Sequence, residues 1–114
     1  MPAQPRMKNV PRNLKQYFVC FLVKGEKWNE TEGSSDLMPL QLAFLREQME
    51  ARRYMFAGPV VDDSHVVGLS VIDAESKEEA EALAKEDPGV KAGRLAVEIH
   101  PAYLPSLDGV LVEF

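Results

Sequence analysis

The chain has one cysteine, two histidines and no apolar run approaching the length of a membrane span, and each shortage narrows what it can do. Cys20 has no partner for an internal disulfide and sits in an apolar stretch, which suits a reducing cytoplasm. His65 and His100 stand far apart, with no Cys/His spacing around them, so a metal centre would lack its three or four converging ligands. The sequences G-x-x-x-x-G-K-[ST], G-x-G-x-x-G and G-x-S-x-G are all missing, so no nucleotide cofactor and no serine hydrolase is expected. The N-terminus has no apolar core after its basic residues, which excludes a secretory signal. Positive charge is also short. The net charge is -5, and setting aside the four basic residues Arg6, Lys8, Arg12 and Lys15 leaves -9 on the body. Such a surface repels phosphate backbones, so neither nucleic acid nor membrane is an expected partner.

What is present reads as one globular domain: 114 residues, 46% hydrophobic and 27% charged, enough for a single core. Residues 1–16, interrupted by Pro2, Pro5 and Pro11, form a flexible basic leader. Tyr17 to Val23 is a strand apolar on both faces, and such a strand must be covered on both. A polar loop to Ser35 carries Trp28, either a lid for a pocket or a plug for the end of the core. Ser35 or Asp36 caps a helix running to about Arg53. Its Met38, Leu42, Leu45 and Met49 mark a core stripe, with Leu37, Gln41, Phe44 and Gln48 on the flank. Gln41 thus falls on the border between core and solvent, where a cleft wall would stand. Tyr54 to Val61 is a second strand, its Gly58-Pro59 pointing to an edge or bulge. His65 to Asp73 is a third. Ser76-Lys77-Glu78-Glu79 is a capping box that opens a second helix. Arg94 to His100 is a fourth strand, with Leu95, Val97 and Ile99 on one face and Arg94, Glu98 and His100 on the other. Residues 104–114 make a tail that ends in a short apolar stretch.

The order β-α-β-β-α-β predicts an α+β, ferredoxin-like fold: a four-stranded antiparallel sheet with both helices on one face. The other face is left bare, and a second copy of the chain is its commonest cover. In the second helix Ala80, Leu83 and Ala84 recur at i, i+3 and i+4, and the next position in phase is Asp87. A carboxylate aimed inward at a helix end has its charged form disfavoured and its pKa raised, as a general acid or base requires. Asp87-Pro88 is equally the N-cap and N1 signature of a short turn.

Several pieces, in order across residues 17–103, resemble the YciI-like (YCII-related domain) family. They are Phe21-Leu22-Val23-Lys24-Gly25 with Trp28, Leu42-Ala43-Phe44-Leu45, Ala57-Gly58-Pro59, Glu79-Ala80 with Leu83-Ala84, Asp87-Pro88, Lys91-Ala92-Gly93-Arg94-Leu95, and Glu98-Ile99-His100-Pro101. The resemblance implies a homodimer joined sheet to sheet as a dimeric α/β barrel, with lyase and isomerase activities among relatives. It also implies a His–Asp pair in a cleft. The Asp matches Asp87, but the His position is Gln41, and an amide hydrogen-bonds without titrating near neutral pH.

Two functions follow. One is a small-molecule lyase or isomerase in which Asp87 moves a proton while Gln41, Trp28 and His100 orient the substrate. The other is a non-catalytic dimeric module that binds a small ligand or a protein. His100 lies two residues from Glu98 on one strand face, which allows a His–carboxylate pair, although a strand-end histidine hydrogen-bonded to backbone is the simpler reading. His65 is expected to be solvated.

Overall fold

A computed structural model describes residues 9–30 and 34–114, without the side chains of residues 34 and 35; the first half of the leader lies outside the described residues. The elements are β1 (Leu14–Lys24), α1 (Ser34–Glu50), β2 (Tyr54–Pro59), β3 (Val66–Ile72), α2 (Lys77–Ala84), α3 (Pro88–Lys91) and β4 (Leu95–Pro105). The strands form one antiparallel sheet in the order β2-β3-β1-β4, the expected ferredoxin-like arrangement with one short helix added.

The sheet's two faces follow from strand alternation. Phe18, Cys20 and Leu22 of β1, Ile72 of β3, and Leu95 and Ile99 of β4 point to the helices, where Ala80 and Ala84 of α2 and Phe44, Leu45 and Met49 of α1 close the core. Ser76 caps α2 by accepting from the Glu79 backbone N–H at 3.1 Å, half of the expected box. Gly58-Pro59 ends the edge strand β2, where a missing N–H leaves no ladder bond unmade.

Three expectations need correction. β1 begins at Leu14 rather than Tyr17, because Leu14 to Gln16 pair with Pro105 to Tyr103 and extend the ladder. Asp36 lies in the first turn of α1 rather than ahead of it. The core stripe of α1 is rotated. Met38 and Leu42 are 59% and 58% exposed, whereas Gln48 is 5% exposed. Leu45 and Met49 of the expected stripe do pack on the core, and Gln41, Phe44 and Gln48 of the flank turn inward beside them. The Gln48 side chain accepts from Arg53 Nε at 2.7 Å, so its amide is satisfied indoors.

Nor is the far face of the sheet bare throughout. Tyr17, Met55 and Val71 form a second small core under Leu104 and Leu107. The Tyr17 hydroxyl accepts from the Leu107 backbone N–H at 2.8 Å. The tail is therefore a cover for one end of that face, while Val19, Phe21, Val23 and Leu69 stay half-exposed at the other.

The β1–α1 loop is stitched to the start of β4. Gly25 N–H donates to Arg94 O at 2.9 Å and Lys27 N–H to Gly93 O at 2.9 Å. A Cβ on Gly25 would lie 2.5 Å from the Gly93 carbonyl oxygen, so the backbones approach this closely only because residue 25 has no side chain. Gly25→Ala should lower stability by about 1–3 kcal/mol. A reduced urea midpoint at unchanged slope would register it, and an unchanged midpoint would mean that the loop is not held to β4.

Candidate functional site

Asp87 is the most buried charged residue described, 1% exposed, and it is placed by both of its neighbours in the chain. Its backbone N–H donates to Ala84 O, so it continues the inward stripe of α2. Its side chain caps α3, with Oδ1 accepting from Gly89 N–H at 2.7 Å. A Cβ on Gly89 would meet Leu95 Cδ1 at 2.7 Å and Asp87 Oδ1 at 3.2 Å, so glycine keeps that pocket open for the carboxylate. The buried carboxylate and the turn cap are one and the same group.

Across from it stands Gln41 of α1, its Nε2 donating to Asp87 Oδ1 at 3.4 Å and Oδ2 at 3.3 Å. Burial holds the Asp87 carboxyl above its ordinary range, opposed by the Gly89 N–H, the Gln41 amide and the Val90 N–H. The same dry interior pushes the Cys20 thiol up to about 11, with Ser70 opposing and the Asp87 charge adding, and raises the Tyr54 phenol. Any net charge in this region is disfavoured.

On the other side of Gln41 the space opens between α1 and the sheet. One chamber, of about 460 Å³, is walled by Trp28, Leu37, Gly89 and Arg94. A second, of about 720 Å³, is walled by apolar groups from Leu22, Leu45, Met49, Ala57 and Val67. Gln41, Trp28, Met38 and Leu95 border both, so the two form one branched cleft. Trp28, 39% exposed, lies at their junction with Lys24 Nζ 5.5 Å from its ring centre. Asp87 lines neither chamber. It sits directly behind the Gln41 amide.

Of the residues expected at the site, Asp87, Gln41 and Trp28 thus come together and His100 does not. His100 projects from the far face of the sheet, against the Phe21 ring, with centroids 6.1 Å apart. Its Nε2 is 3.7 Å from Glu98, and solvated His65 approaches the same carboxylate at 3.9 Å. The sheet separates this group from the cleft. Among the described residues, no three His, Cys, Asp or Glu side chains are grouped to hold a metal ion, and no helix is long and apolar enough to cross a membrane. Two contributors to the cleft were not foreseen. Alternation sets Arg94 on the opposite face, but it precedes β4 and follows the loop instead. Phe114 arrives from the tail, whose irregular sequence carries no periodic signal.

The family model for the YCII-related domain matches residues 17–102. Among solved structures, the chain is similar to 5-chloro-2-hydroxyhydroquinone dehydrochlorinase from Burkholderia phenoliruptrix AC1100 in complex with 2,5-dihydroxybenzoquinone. That likeness has a TM-score of 0.54 and 19% identity, and it covers 75% of this chain and 91% of the other. At that identity it speaks for the fold alone. No curated protein sequence matches the chain.

A carboxyl whose folded pKa lies above its unfolded value of about 3.8 binds more protons folded than unfolded between the two values. Stability from this group is therefore complete below that lower value and falls as pH rises through the higher one. Asp87→Asn, which keeps an acceptor for Gly89 but cannot ionise, should be free of this loss. Urea unfolding of both proteins at pH 4 and pH 7 should show wild type losing ground to the variant on the way up. A constant difference would mean that Asp87 titrates normally.

Proposed function

The chain belongs to the YCII-related domain family, and on that footing we propose that it is a small-molecule lyase or isomerase with Asp87 as the proton-transfer residue. The observation that supports this best is a protonatable carboxylate, kept from water and above its ordinary pKa, one amide away from an open cleft. A carboxyl tuned in that way can take a proton from an acidic carbon or hydroxyl and return one as a double bond shifts or a leaving group departs. Gln41 holds the carboxylate at rest and must swing aside, or pass its place to the substrate, for the proton to move. Trp28 offers a flat apolar face to an unsaturated ring. The structural neighbour named as a dehydrochlorinase, with a dihydroxybenzoquinone bound, makes hydroxyquinones a sensible first class of substrate.

A second reading, a non-catalytic module that binds a small ligand, is favoured by one fact: Asp87 does not line the cleft, and the amide in front of it does not titrate. The two readings part on turnover. With chlorinated hydroxyhydroquinones or lactones as substrates, Asp87→Asn should lower kcat by about 10²- to 10⁴-fold. Gln41→His should raise the rate, and Asp87→Asn in that background should remove the gain. Tight binding without turnover in every variant would leave the binding module as the function.

The working unit we propose is a homodimer through the half-exposed part of the far sheet face, where Val19, Phe21, Val23 and Leu69 want cover. Light scattering should then return about twice the 12.7 kDa chain mass. A monomer at high concentration would end this part of the proposal. The free, buried Cys20 fits a reducing, cytoplasmic setting.

A further inference from the structure

The larger chamber of the cleft is apolar along its length and far roomier than a single oxygenated ring requires; about 720 Å³ is the size of a site for a drug-sized molecule. Hydrogen-bonding groups stand at its two ends. Gln41 is at the inner end, and Arg46 is at the mouth, where its Nε donates to Glu50 at 2.7 Å. Phe114 completes the outer wall, with the Arg46 guanidinium 4.6 Å from its ring centre. This residue lies outside the region 17–102 that the family model matches.

The segment that brings Phe114 there is tied down at several points. Ser106 N–H donates to Asn13 O at 3.1 Å, and Leu107 N–H donates to the Tyr17 hydroxyl. The main tie is Arg52. Its guanidinium donates to the carbonyls of Leu107 at 3.3 Å, Asp108 at 3.0 Å and Val110 at 2.9 Å. Arg52 stands at the end of α1 with φ 62°, while Arg53 N–H reaches Gln48 O and Arg52 N–H reaches Met49 O. That is the Schellman pattern, at whose left-handed position glycine is the preferred residue. An arginine is held there against its backbone preference, and its side chain is what secures the strap.

We infer that the cleft takes a molecule with a compact hydrogen-bonding head and an extended apolar substituent, and that the strap 106–114, through Phe114, limits the length of that substituent. The inference rests on the reading that a small organic molecule occupies the Gln41 end, but it does not need Asp87 to move a proton. The head meets the Gln41 amide under Trp28, and the body runs along Leu45, Met49 and Val67 toward Phe114.

Binding of 4-n-alkylresorcinols, from ethyl to octyl, measured by titration calorimetry, tests it. In wild type, affinity should climb by about fourfold per buried methylene and then stop climbing. Phe114→Ala should move the stop to a longer chain. Arg52→Gly should move it as well, while relieving the backbone, so a retained thermal midpoint separates release of the strap from unfolding. Gln41→Leu should weaken every homologue alike and leave the stop in place. An affinity flat along the series, a stop unmoved in both strap variants, or no binding by any homologue would each overturn the inference. Loss of turnover assigns Asp87 separately. A moving stop with an inert Asp87→Asn effect would keep this inference and discard the proton-transfer reading, and the converse result would do the reverse.

Discussion

A carboxylate sealed from water has to be held by donors, and the arrangement around Asp87 follows from that need. The group could have been neutralised by a cation. Instead it is met by a backbone N–H from its own turn and by a side-chain amide from across the cleft. Neither donor carries a full charge, so desolvation prevails and the proton is held more tightly than usual. An arginine in place of Gln41 would have pulled the pKa the other way. The choice of a neutral partner keeps this carboxyl protonatable.

The same contact fixes how α1 lies. To put Gln41 on Asp87, the helix must turn its glutamine-bearing side inward, and Gln48, two turns on, comes with it. Two adjacent stripes on this helix have helical spacing, and hydrophobicity alone favours the one with Met38 and Leu42. The first half of that stripe, Met38 and Leu42, is instead left at the rim of the cleft, while Leu45 and Met49 pack on the core beside Phe44 and Gln48. The cleft opens along this first half of the helix, where Met38 and Leu42 line it without filling it.

This explains how far the sequence was legible. The four strands, the Ser76 cap and the inward phase of Asp87 all rest on local patterns, and local patterns survive into the fold. The exclusion of His100 from the cleft was legible too. Alternation along β4 sets it opposite Leu95, Val97 and Ile99, and so on the face away from both helices. The rotation of α1 and the course of the tail were not legible, since each is decided by bonds over long separations. In the tail these bonds end on backbone carbonyls, which any residue supplies.

The segment after β4 links the two faces of the sheet physically. Leu104 at the end of β4 and Leu107 just beyond it cover Tyr17, Met55 and Val71 on the far face, and the chain then passes the end of α1 under the hold of Arg52 to reach the cleft at Phe114. A second copy seated on the far face would border the tail at its first turn, while a ligand in the cleft borders it at its last residues. Both events would act on one short strap of backbone with few bonds of its own. An arginine in a conformation better suited to glycine anchors that strap midway, so one side chain steadies both the cover of the far face and the wall of the cleft.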